Sequence, residues 1–462
     1  MKILPVFLCF AAFAGLFGGQ ASGGSAWEQI DALLEKNYAA QNVKPNDPAP
    51  DATLVRRVYL DIVGRIPTRD EAEAFIASTD PDKTSKLIDE LIGNEGYTNH
   101  WFSFWADLLR LNAKINNNQF VAPHYAEFIK AALRENRPYD EFVRELLTTD
   151  GAAWDSGAIG YYLRDRGMPL DNMSNTVRVF LGTRLECAQC HDHPFDKWTQ
   201  LDYYKMAAFS YEMESNYRPK LGEDLKGYAK KKGKVQQVKG MKEAYTEMMR
   251  PLRYTAIQRE EKDLHLPDDY KYANAKPKEV VAAKTMFGPD APGNLDAYAE
   301  WMTSKENPRF ATVIANRLWK EVFGIGLIEP VDDINDYTKA SIPELMTFLE
   351  DQMKALDYDL QAFLKMLYNT KAYRREASRE EILPGQLFHF PGPVLRRMSA
   401  EQIWDSFVTL INPEPDACPE RLIEASEQQL TLVHKIHESL KALDKDELLL
   451  GMKAAAATAS KG

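Results

Sequence analysis

Cysteine is scarce in this chain, with 4 in 462 residues. Cys9 lies in an apolar leader, which leaves Cys187, Cys190 and an isolated Cys418. Three thiols cannot form the framework of a disulfide-built protein of this size, so the core holds by packing. Positive charge is also in deficit, with 57 Lys+Arg against 68 Asp+Glu and a formal net charge of −11. That balance excludes a chain whose main task is to coat nucleic acid, because phosphate contacts need clustered cations. Past the first twenty-odd residues no apolar run is long enough to span a bilayer. No Gly-x-Ser-x-Gly elbow, phosphate-binding loop or internal repeat of fixed period is present. Gly324-Ile325-Gly326 lacks the third glycine of a dinucleotide loop and follows a helical pattern, so it reads as a helix C-cap and turn. Carboxylates are too numerous to single out a glycosidase pair without a fold.

What remains is ordinary globular material, 45% hydrophobic and 27% charged, with room for two or three domains. The leader differs from the rest. Lys2 precedes a nearly unbroken apolar run from Ile3 to Gly19, and small residues follow through Ala26. This is the layout of a secretory signal, with cleavage expected after Ala21 or Ala26. The expected location is therefore periplasmic or extracellular, with no stable membrane span after signal cleavage.

Helical periodicity dominates the remainder. Leu54, Val55, Val58, Tyr59, Ile62 and Val63 recur at three and four, Gly64 and Pro67 stop the pattern, and Thr68 with Glu71 makes a capping box. Amphipathic stretches follow at 84–91, 100–111, 125–133 and 139–147, then at 295–302, 310–323, 343–356 and 360–367. Val433, Ile436, Leu440 and Leu443 mark one more helix face. Between Tyr217 and Pro292 the periodicity fades and lysines cluster at 226–239. The predicted fold class is mostly α, with two helical domains joined by a charged insertion. The predicted segments are a signal at 1–26, a first domain at 27–216, a charged linker or insertion at 217–292 and a C-terminal helical domain at 293–462.

One segment carries chemistry: Cys187-Ala188-Gln189-Cys190-His191-Asp192-His193-Pro194-Phe195-Asp196. Cys-x-x-Cys-His is the attachment pattern of haem c. Two thiols three residues apart can each add to one vinyl group of a porphyrin, and the next residue offers an imidazole to the iron. Cys187 and Cys190 are the candidate anchors and His191 the candidate iron ligand, and the export signal agrees with an attachment made outside the cytoplasm. Other readings stay open at this point. The pair can form a disulfide or work as a dithiol, and Cys187, Cys190, His191 and His193 offer donors suited to zinc. The βαβ surroundings of a thioredoxin-type motif are missing.

A sixth iron ligand is not evident from the sequence. Met206 and Met213 follow downstream at helical spacing that suits core residues, and His100 and His124 are more distant. Asp332, Asp333 and Asp336 miss the calcium-loop spacing and read as a solvated loop. His434, His437 and Glu438 do not form a zinc-protease motif.

Several stretches together resemble the paired domains of unknown function found in exported planctomycete and verrucomicrobial proteins. Residues 57–68 (RVYLDIVGRIPT), 136–147 (NRPYDEFVRELL) and 179–182 (VFLG) running into 187–196 are similar to planctomycete cytochrome C domain two, domain of unknown function fifteen-forty-nine. Residues 307–310 (NPRF), 316–319 (NRLW), 326–333 (GLIEPVDD) and 396–405 (RRMSAEQIWD) look like its companion, planctomycete domain one, or fifteen-fifty-three. The resemblance covers most of the expected mature chain. It implies haem at Cys187, Cys190 and His191, and names neither a reaction nor a substrate. The expectation is an exported cytochrome-c-like electron-transfer protein working with a redox partner protein or an extracytoplasmic substrate. Its alternative is a non-redox binding or scaffold protein whose Cys/His cluster binds zinc or closes a local disulfide.

Overall fold

The computed structural model describes residues 24–112, 121–165, 167–215, 246, 249–288, 290–383, 385–417 and 421–459. Residues 1–23 of the expected signal, the lysine cluster at 226–239 and Cys418 lie outside the described residues. Among those described, the fold is mostly α, with 17 α-helices and three short strands. None of the described helices is long and apolar enough to cross a membrane.

Ten helices come from the first part of the chain: α1 (Ala26–Gln41), α2 (Asp51–Val63), α3 (Arg69–Ala77), α4 (Lys83–Leu91), α5 (Glu95–Leu108), α6 (Val121–Arg134), α7 (Tyr139–Thr148), α8 (Gly160–Leu163), α9 (Pro169–Leu181) and α10 (Gln200–Ala207). Seven follow: α11 (Leu295–Thr303), α12 (Phe310–Phe323), α13 (Pro343–Ala355), α14 (Leu360–Tyr368), α15 (Ala400–Thr409), α16 (Arg421–Ala442) and α17 (Lys445–Ala459). Helix α2 buries Leu54, Val55, Val58, Tyr59, Ile62 and Val63, the residues its periodicity marks, and ends at Gly64 with φ 74°. Helix α3 then starts with the reciprocal Thr68/Glu71 box, which satisfies two otherwise orphan N–H groups. Gly324 caps α12 with φ 86°, as its position after a helical pattern requires.

The two parts of the chain bury one continuous apolar cluster. Helix α1 packs on α13 and α14, α7 on α11, and α9 on α12. Tyr139 of α7 stacks on Phe310 of α12 at a ring-centroid distance of 4.8 Å and is 5.5 Å from Trp105 of α5. Each such aromatic pair adds about 0.5–1.5 kcal/mol beyond its area burial.

The region after the first domain is partly built into this body. Strand β3 (Ala256–Arg259) lies between β1 (Gly151–Ala152) and β2 (Met213–Glu214) in an antiparallel sheet, pairing Gly151 with Ile257 and Met213 with Arg259. Leu252, Ile257, Leu264, Leu266 and Tyr270 are buried, so the segment from 249 onward is part of the core rather than a free tether.

Candidate functional site

The Cys-x-x-Cys-His segment hangs from the C-terminal end of α9. Gly182 caps that helix at φ 60°, and a Cβ there would lie 2.7 Å from Val313 Cγ2. Only glycine combines the left-handed turn with this close approach to α12. Two contacts fix the junction: Ile334 N–H donates to Gly182 O at 2.6 Å, and Arg317 Nη1 donates to Val179 O at 2.7 Å.

Past Gly182 the chain makes one 3-10 turn, Glu186–Gln189. In a 3-10 turn, side chains three apart eclipse one another. Leu185 and Ala188 therefore share the inward side and are 1% and 0% exposed. The same period puts Cys187 and Cys190 together on the outer side, where both are free, exposed thiols. The turn carries on into His191, since Cys190 N–H and His191 N–H both donate to Cys187 O, at 3.3 and 3.4 Å.

The His191 ring lies against its neighbour's backbone, Nδ1 2.8 Å from Asp192 O. Donation there requires the Nδ1–H tautomer and leaves Nε2 with its lone pair, the arrangement that metal-ligating histidines adopt. Asp192 is braced in turn: its N–H donates to Tyr272 Oη at 2.8 Å, and its Oδ1 accepts from Gln200 N at 2.9 Å. Gln200 Nε2 also donates to Gln189 O at 3.1 Å. Two exposed thiols on one face, followed by an imidazole with one nitrogen free, form a donor set that fits haem c. Cys187, Cys190 and His191 would hold the group. Three residues of 3-10 rise span about 6 Å, which also falls within the Cα range of a disulfide.

The other sequence candidates fall elsewhere. His193 is partly buried, its N–H donating to Trp198 O at 2.8 Å and its Nδ1 accepting from Phe195 N at 3.3 Å. Among the described residues no group of three His, Cys, Asp or Glu side chains is placed to hold a metal ion. Met206 and Met213 are core side chains, 0% and 5% exposed. Asp332 and Asp336 pair with Arg184 at 2.8 Å and Lys197 at 2.6 Å, which pins both flanks of the cysteine loop to the segment after α12. His434 stacks on Trp154 at 4.9 Å, with His437 at 5.3 Å from the same ring.

Residues 29–215 match the family PSCyt2, a protein of unknown function (DUF1549). Residues 296–430 match PSD1, a protein of unknown function (DUF1553). The chain is a PSCyt2–PSD1 protein. No curated protein and no solved structure matches it.

The seam between the PSCyt2 and PSD1 segments holds a second cluster that sequence reading missed. Asp61 of α2, 9% exposed, accepts from Arg396 Nη2 at 2.7 Å and from Tyr373 Oη at 3.0 Å. His100 of α5 and Glu321 of α12 line the same cavity. Burial pushes the His100 imidazolium down to about 4 and pushes the Glu321 carboxyl up. Asp61 and Arg396 are 335 positions apart, so only the fold brings them together.

Proposed function

We propose that this PSCyt2–PSD1 protein is an exported, c-type-cytochrome-like carrier that holds one haem through Cys187, Cys190 and His191 and exchanges electrons outside the cytoplasm. The observation that supports it is the exposed turn, with two eclipsed free thiols and His191 Nδ1 committed to the Asp192 carbonyl. Cys187 and Cys190 would hold the haem through their thiols, both free and exposed. His191, with Nδ1 engaged by the Asp192 carbonyl, would offer its Nε2 to the group. Haem c, when bound, supplies reversible one-electron chemistry. The residues around it keep simpler tasks: Tyr272 and Gln200 hold Asp192, and Asp192 holds the ring. The acidic balance of the chain, −11, favours a cationic redox partner by long-range attraction.

The second reading is a non-redox exported scaffold in which Cys187 and Cys190 close a local disulfide. It draws on the same turn, whose span lies within disulfide reach.

A visible spectrum separates the two. The full chain is exported from a host with cytochrome c maturation machinery, denatured in alkaline pyridine and reduced. The haem reading predicts a c-type haemochrome band, shifted in Cys190→Ala because one vinyl group stays unsaturated. A colourless wild-type protein overturns it.

A further inference from the structure

The seam between the two segments opens into a groove of about 310 Å³ walled by five arginines, Arg56 and Arg57 from α2 and Arg379, Arg396 and Arg397 from the chain leading to α15. Among the described residues only two carboxylates, Asp61 and Glu376, join them, in a chain whose overall charge is −11. Arg396 is paired with Asp61. The other four have no carboxylate partner among the described residues. Arg57 Nη1 donates to the carbonyls of Tyr373 and Arg375, the latter at 2.7 Å, which orients the guanidinium without cancelling its charge. Arg56 Nη2 meets only Met398 Sδ, at 3.4 Å. Arg379 and Arg397 are exposed and have neither a hydrogen-bond nor an ion-pair partner in the described structure.

Gathering like charges around one concavity is unfavourable in the free protein, and an anion relieves it. Guanidinium forks match carboxylate, sulfate and phosphate oxygens two at a time. Val394 and Leu395 give the groove an apolar wall that suits a carbon skeleton. We propose that this groove is a binding site for a small organic polyanion bearing at least two carboxylate, sulfate or phosphate groups. Arg57 and Arg396 form its preset floor, and Arg379 and Arg397 close over the ligand. The site is independent of haem at Cys187 and Cys190.

The test is calorimetric titration of the full chain with citrate, inorganic phosphate and inorganic sulfate in turn, at fixed ionic strength, against a chloride control. Saturable binding of at least one of the three to a single site is expected. The double variant Arg379→Gln/Arg397→Gln should weaken it at least tenfold without lowering the ligand-free melting temperature, because neither side chain has a partner to lose and the like-charge repulsion is reduced. Lys86→Gln, which alters an exposed cation paired with Asp80, should bind as the wild type does. The oxyanion bound most tightly identifies the ligand's charged group. No saturable heat with any of the three, binding matched by chloride, or equal affinity in the double variant would overturn the proposal.

Discussion

His191 gives one ring nitrogen to the Asp192 carbonyl and keeps the other, and this decides what the Cys187–His191 turn can hold. A second histidine makes a sharper physical prediction. His100 sits beside Asp61, Glu401 and Arg396; burial, reinforced by the Arg396 charge, outweighs the two carboxylates and holds its pKa near 4. An unfolded chain takes up that proton near 6.5. Between about pH 6.5 and 4 the unfolded state therefore binds more protons than the folded one, and stability falls as pH drops through that window. The loss across the whole window should total on the order of 3 kcal/mol, with no contribution above it. Urea unfolding of wild type and His100→Gln at pH 7 and pH 4.5 reads this directly: the variant should lose less stability on acidification. Equal losses would mean that His100 is not held neutral.

Helix boundaries were the most legible part of the sequence, because caps are local chemistry. Thr68 with Glu71 starts α3, and Gly324 ends α12, as the residue types demand. The strands were not legible, since two to four residues at Gly151–Ala152, Met213–Glu214 and Ala256–Arg259 are too few to show a period of two. Asp332 and Asp336 read as a solvated loop and lie in one, with surface ion pairs to Arg184 and Lys197 on the cysteine loop's flanks. Helix α15 reverses the usual amphipathic rule. Ser406 and Thr409 face the body, while Trp404, Phe407 and Leu410 are 69%, 63% and 68% exposed. At Gly182 an added methyl group meets Val313, and the left-handed backbone is strained as well. Gly182→Ala should cost about 1–3 kcal/mol in chemical denaturation. A change below about 0.5 kcal/mol would show that the junction of α9 and α12 yields easily.

At the scale of the molecule, the PSCyt2 and PSD1 segments are two families in sequence and one body in packing. Sequence reading marked their order and helical content. It could not show that Tyr139 stacks on Phe310, or that Asp61 meets Arg396, because such pairings depend on the whole chain path. The shared core predicts one cooperative unfolding transition in calorimetry. Two separated transitions would mean that the segments fold independently. The CxxCH motif was legible as a spacing of residues, whereas its exposure, its shared face and the hydrogen bond of His191 Nδ1 follow from the turn and its supports.

The central claim concerns what Cys187 and Cys190 bond to, and the intact mass of the denatured mature chain answers it most directly. Protein exported from a host with cytochrome c maturation machinery should carry the mass of exactly one haem, retained through denaturation and reduction and lost in the Cys187→Ala/Cys190→Ala double variant. A chain at its bare mass, or two hydrogens lighter until reduced, would contradict the haem assignment and leave the pair as free thiols or a disulfide.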